Sequence, residues 1–88
     1  MEKIEEEILV NNVHGLHARP ASIFVQIANK FDSSVKVDKD GEVIDGKSII
    51  AILSLGINKG MKVKLMIDGN DAVQAFEELK RFLESNHD

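Results

Sequence analysis

Gly15-Leu16-His17-Ala18-Arg19-Pro20-Ala21 joins a loop to an amphipathic segment and fixes where a helix begins. Proline breaks a helix interior, because it lacks an N–H and its ring clashes with the preceding turn. It is tolerated in the first turn, where that N–H has no partner anyway. Beyond it, Ala21, Phe24, Val25, Ala28 and Phe31 recur at steps of three and four, which places them on one face of a helix over 18–31. The helix therefore starts near His17. A helix entrance presents unpaired backbone N–H groups and the positive end of the macrodipole, so anions bind there readily. An imidazole is largely unprotonated at neutral pH and can attack a phosphoryl group. Arginine offers a planar fork of donors to phosphate oxygens. Phosphoryl transfer asks a protein mainly for positioning and electrostatics. His17 and Arg19 are therefore the candidate chemical residues. The N–H groups of Ala18 and Arg19 are candidate phosphate donors, and Pro20 has none to offer.

The same pattern reading extends in both directions. Ile4 to Val10 is rich in β-branched residues and reads as a first strand, followed by a loop from Asn11 to Leu16. Val35-Lys36-Val37-Asp38 alternates as a strand. Asp40-Gly41 is a tight-hairpin signal, because a primed turn needs positive φ at both central positions, and Glu42 to Asp45 is the returning strand. Ser48 to Leu55 is short and apolar. Ser48 before it and Gly56 after it resemble helix caps, so it reads as a short helix. Met61 to Ile67 alternates and reads as the last strand. Asn70-Asp71 opens a final helix with Ala72, Phe76, Leu79 and Leu83 on its buried stripe, flanked by Ala75 and Phe82. Asp71 followed by Gln74 three residues later resembles a capping box. The order is β-α-β-β-α-β-α. Four short strands and three helices predict an α+β open-faced sandwich: a four-stranded antiparallel sheet with the helices on one face.

Composition narrows the classes of function. The chain has 88 residues, sufficient for one domain spanning 1–88, with 43% hydrophobic residues and no cysteine. Disulfides, thiolate metal sites and cysteine nucleophiles are excluded. A reducing cytoplasmic setting is the expected location. The formal net charge is −4, the wrong sign for sequence-independent nucleic-acid binding. Glu2, Glu5, Glu6 and Glu7 crowd the amino end, where a signal peptide would need basic and then apolar residues. The longest apolar run, Ile49 to Leu53, is too short to cross a bilayer. No membrane or nucleic-acid partner is expected, and the expected state is a monomer.

Other constellations are weaker. His14, His17 and His87 lack supporting carboxylate spacing, so no metal site is expected. Gly56 to Gly60 lacks the Gly-Lys-Ser/Thr ending of a phosphate-cradling loop and reads as a turn. Ser54 has no supporting acid for a hydrolase. The run Glu5-Glu6-Glu7 reads as a solvated strand edge, and Ser85 to Asp88 as a frayed end.

The run Gly15 to Ala21, after a strand and opening a helix, resembles the active-site motif of the HPr family, the histidine-containing phosphocarriers of the bacterial sugar phosphotransferase system. Lys47-Ser48-Ile49-Ile50-Ala51-Ile52-Leu53-Ser54-Leu55-Gly56 resembles that family's regulatory-serine segment. The likeness spans essentially the whole chain. It implies that His17 accepts a phosphoryl group, on Nδ1 in this family, from phosphorylated enzyme I and passes it to enzyme IIA domains. It implies that Arg19 contacts the phosphate. It also implies an apolar docking patch of Leu16, Ala18, Ile49, Ile50 and Leu53, with Ile52 and Leu55 reserved for the core. In many members an HPr kinase/phosphorylase modifies the serine that maps to Ser48. The serine segment usually carries Met-Gly where this chain has Ile50-Ala51, and Met where it has Leu53; these apolar exchanges bear on partner preference. Gln26 and Asn29 lack basic charges that some enteric members carry, which leans toward the Gram-positive type of surface. No cofactor is implied: the resemblance makes the chain an expected carrier and protein substrate, not a stand-alone enzyme. Two alternatives remain open. One is a regulatory module acting through phosphorylated Ser48 on a transcription regulator. The other is a nitrogen-branch phosphocarrier.

Overall fold

In the computed structural model, which describes residues 2–85, the elements are β1 (Glu2–Leu9), α1 (Ala18–Asn29), β2 (Ser34–Lys39), β3 (Glu42–Asp45), α2 (Ile49–Ser54), β4 (Lys62–Gly69) and α3 (Ala72–Glu84). The four strands form one antiparallel sheet in the order β1-β4-β2-β3. This is the expected β-α-β-β-α-β-α sandwich. Asn86, His87 and Asp88, part of the expected frayed end and of the weighed metal trio, lie outside the described residues.

Strand alternation decides which face is covered. Along β4, Val63, Leu65 and Ile67 are buried, while Lys62, Lys64, Met66 and Asp68 face outward with more exposure. Their partners agree: Ile4 and Ile8 of β1 sit opposite Ile67 and Val63, and Val35 and Val37 of β2 sit opposite Ile67 and Leu65. Helices α1 and α3 bring Ala21, Phe24, Ala28, Ala72, Ala75, Phe76, Leu79 and Leu83 to that face. Val25, Phe31 and Phe82 pack at the margin. Glu6 shares the inward face of β1 with Ile4 and Ile8, yet it is exposed because β1 is an edge strand. A charge there discourages edge-to-edge pairing. The turn between β2 and β3 is the expected one: Asp40 has φ +54° and Gly41 φ +91°, and the Gly41 N–H donates to Asp38 Oδ1 at 2.9 Å.

Two local expectations change. Helix α1 ends at Asn29, two residues before Phe31; Lys47 Nζ donates to the Phe31 carbonyl at 2.7 Å and ties this exit to the segment before α2. The second change concerns Asp71. It is the N-cap of α3, but its side chain makes no capping bond, so there is no capping box with Gln74. The carboxylate turns instead to the loop after α1, accepting from Asp32 N–H at 2.9 Å, from Ser33 N–H at 3.0 Å and from the Ser33 hydroxyl. Three donors concentrated on one carboxylate outweigh the single bond of a cap.

These donors hold the Asp71 carboxyl below its ordinary pKa of 3.8, the Ser33 hydroxyl first and the Asp32 N–H next. Because the folded value is the lower one, the resulting stability is present above 3.8 and is lost as pH falls through the folded value. Asp71→Asn should therefore flatten the acid limb of the stability curve below pH 3.8 while leaving its neutral slope unchanged. Denaturant titrations at stepped pH check this. An acid limb identical in both proteins would show that the three bonds contribute nothing in solution.

Candidate functional site

Helix α1 is left uncapped by its own side chains. His17 stands at the N-cap with extended backbone, φ −90° and ψ −165°, and makes no side-chain capping bond. Its carbonyl accepts the first helical bond, from Ala21 N–H at 2.7 Å. The first turn holds no acidic residue. Position N3, where a capping side chain commonly finds its donor, is Pro20 and has no N–H. The N–H groups of Ala18 and Arg19 meet no acceptor among the described residues. By contrast Ser48, the N-cap of α2, accepts from Ala51 N–H at 3.3 Å in the ordinary way. The entrance of α1 thus keeps its positive end and two donors open to an external anion.

The imidazole is exposed, and one of its nitrogens is engaged. His17 Nε2 lies 2.6 Å from Asn58 Oδ1. A carbonyl oxygen accepts only, so Nε2 carries the hydrogen and Nδ1 keeps its lone pair. The ring presents Nδ1 as nucleophile in the neutral form. A depression of about 400 Å³ opens beside it, lined by Asn12, His14, His17, Ala18, Arg19, Pro20, Ile23 and Phe82. Arg19 is exposed and pairs with no carboxylate among the described residues, so its fork is available. Asn12 is buried; its Oδ1 accepts from His14 N–H at 3.2 Å and its carbonyl from Gly15 N–H at 3.0 Å, which shapes the loop leading to the ring. Among the described residues no group of three or more His, Cys, Asp or Glu could hold a metal ion. None of the helices described is long and apolar enough to cross a membrane.

The sequence-expected residues divide cleanly. His17, Ala18 and Arg19 come together at the depression. Ile49, Ile50 and Leu53 are all exposed on α2, Ile50 at 78%, although α2 has only six residues. Ile52 and Leu55 are buried as expected. Leu16 does not belong with the exposed set. It is 1% exposed because its N–H donates to the Ile57 carbonyl at 2.9 Å, which pulls the residue into the core, so it cannot touch a partner directly.

Asn58 escapes sequence reading, in which 56–60 is a plain turn. A polar residue between two glycines gives no local sign that it meets a ring 41 positions away. Ile23 escapes it too. It lies off the buried stripe of α1 and adds an exposed apolar surface to the depression.

Comparison with known proteins gives the family and the fold. The family model described as "PTS HPr component phosphorylation site" matches residues 4–85. The HPr-like protein Crh of Halalkalibacterium halodurans is 42% identical over 81 residues, covering 92% of this chain and 96% of that protein. The crystal structure of a phosphocarrier protein HPr from Bacillus anthracis superposes with TM-score 0.91 at 36% identity, covering 94% of this chain and 99% of that one. A crystal structure of the Bacillus subtilis catabolite-repression protein Crh, described as a dimer with a swapped domain, gives TM-score 0.75 at 41% identity, covering 84% of this chain and 87% of that one. With a family model matching residues 4–85, a relative 42% identical over 92% of the chain and a matching fold, this chain belongs to the HPr family of phosphocarriers.

Proposed function

We propose that the chain accepts a phosphoryl group on Nδ1 of His17 from phosphorylated enzyme I and delivers it to enzyme IIA domains in the cytoplasm. One observation carries this reading: Asn58 occupies Nε2 and leaves Nδ1 free at a helix entrance where, among the described residues, two N–H donors are unfilled and Arg19 pairs with no carboxylate. In transfer, the Nδ1 lone pair forms a bond to phosphorus while the donor's bond to phosphorus breaks. The phosphate oxygens meet the Ala18 and Arg19 N–H groups and the Arg19 guanidinium. Delivery reverses these steps. Ala18, Ile23, Ile49, Ile50 and Leu53 supply exposed apolar surface for brief encounters, which a relay needs in order to release quickly. Incubation with phosphoenolpyruvate and enzyme I should give an acid-labile, base-stable phosphate at His17, and phosphoenolpyruvate alone should give none. Phosphate found at another residue would remove the site assignment.

A second reading is supported by the likeness to Crh and by Ser48 at the start of α2. In that reading an HPr kinase/phosphorylase modifies Ser48, and the product binds a transcription regulator. The two roles coexist on one chain, since His17, Ala18, Arg19 and Pro20 are all in place. Treatment with the kinase and ATP should label Ser48. The added charge of roughly −2, set beside the exposed Ile49 and Ile50, should slow later labelling of His17 by about tenfold. An unchanged rate would separate Ser48 from control of the relay. The serine segment favours the sugar branch over the nitrogen branch. A monomer is the working state; sedimentation should show one species, and a dimer would align the chain with the swapped Crh.

A further inference from the structure

We propose that Asn58 is a positioning residue that sets how readily the phosphorylated ring gives up its cargo. It does so by holding a hydrogen on Nε2 throughout the cycle. The inference rests on the carrier reading of His17. It adds a residue from a distant loop to the reaction.

The contact is built and not incidental. The chain segment 56–60 is fastened to the loop before α1 at several points. Leu16 N–H donates to the Ile57 carbonyl at 2.9 Å, and Gly60 N–H donates to the Val10 carbonyl at 2.8 Å. Asn58 itself is braced by its N–H on Met61 Sδ at 3.3 Å and by its carbonyl accepting from Met61 N–H at 3.1 Å. Gly15 sits so close that a Cβ there would lie 2.4 Å from the Ile57 carbonyl oxygen and 2.8 Å from the Asn58 Cα. The two loops touch backbone to backbone, and the Asn58 amide is delivered to the ring edge remote from Nδ1.

The consequence follows from the electron count. When Nδ1 attacks, its lone pair becomes the N–P bond and the ring, still bearing the Nε2 hydrogen, becomes cationic. When an acceptor attacks phosphorus, the N–P pair returns to Nδ1 and the ring leaves as neutral imidazole. Without the Nε2 hydrogen it would have to leave as an imidazolate anion, a far poorer leaving group. An acceptor fixed at Nε2 favours the hydrogen-bearing form and therefore the transferable one. Among the described residues, the other charged or titratable groups lining the depression beside the ring are His14 from the preceding loop and Arg19 from α1, and α3 contributes Phe82. Lys59 follows Asn58 on the opposing loop and is exposed. None of these offers Nε2 an anionic acceptor, so the neutral amide of Asn58 is the group that holds the hydrogen.

The test is the pH profile of hydrolysis of the phosphorylated chain, made with phosphoenolpyruvate and enzyme I, for the natural protein, Asn58→Ala and Asn58→Asp. Loss of a hydrogen bond to a cationic ring should move the midpoint for loss of the labile form about one pH unit lower in Asn58→Ala. A carboxylate in its place should move the midpoint upward. Opposite displacements by two substitutions at one exposed position are not produced by a merely structural role. Ring nitrogen NMR of the unphosphorylated chain should show hydrogen on Nε2 in the natural protein and a larger Nδ1–H fraction in Asn58→Ala. If His17 is labelled but the three midpoints coincide, the role of Asn58 is overturned while the carrier reading stands. If His17 is never labelled, both fall.

Discussion

His17→Ala should abolish acid-labile labelling by phosphoenolpyruvate and enzyme I, while the folded domain remains within about 1 kcal/mol of the natural stability. The two halves of this expectation have separate causes. Removal of the imidazole takes away the nucleophile at the N-cap of α1: the depression's other lining residues include His14, but the open N–H groups belong to Ala18 and Arg19, beside His17. Stability changes little because the side chain is exposed and caps nothing; its hydrogen bond to Asn58 is what the substitution removes. Ordinary capping residues behave differently, since their replacement by alanine costs about 1 kcal/mol. His17→Gln sharpens the comparison, because an amide can still donate toward Asn58 yet offers no nucleophilic nitrogen. Labelling with enzyme I and a urea titration on the same samples decide the matter. Residual acid-labile phosphate in either variant would place the acceptor elsewhere, with His14 the first position to examine.

The same helix entrance shows why some of this site was legible in sequence and some was not. Pro20, together with the stripe Ala21, Phe24 and Ala28, reports the start of α1 locally, and the N-cap falls on His17 as expected. The Asp40-Gly41 turn and the Ser48 cap are likewise local, because each is fixed by backbone conformation within four residues. Failures occur where a distant partner outbids the local one. Asp71 has the right position for a cap but finds three donors at Asp32 and Ser33. Leu16 lies inside the motif, and the family resemblance implies that it is exposed for docking, yet its backbone bond to Ile57 draws it inward. Asn58 has no periodic neighbours at all. Hydrophobic period and turn chemistry describe the chain over a few residues, whereas these three interactions join segments about 40 residues apart.

Gly15→Ala should damage both folding and transfer, because that glycine is where the two loops meet. Its φ of +59° is a conformation that residues with a Cβ adopt at a cost. The added methyl would also press on the Ile57 carbonyl at 2.4 Å and on the backbone of Asn58 at 2.8 Å, atoms that cannot rotate out of the way. Backbone strain of about 1–3 kcal/mol and overpacking of similar size give an expected loss of roughly 3 kcal/mol, a large part of the stability of a small domain. The loops can relieve this only by separating, which stretches the bond from Leu16 N–H to Ile57 and withdraws Asn58 from Nε2. A displacement near 1 Å at a reacting centre costs on the order of 100-fold in rate, so phosphoryl transfer should fall by about that factor at temperatures where the variant remains folded. Asn58→Ala separates the two effects: it removes the ring interaction without the backbone clash, so it should alter the pH profile with little loss of stability. Chemical denaturation together with enzyme I labelling kinetics distinguishes them. A Gly15→Ala protein of natural stability and natural labelling rate would mean that the two loops stand further apart in solution than 2.4 Å allows, and that His17 works without their close approach.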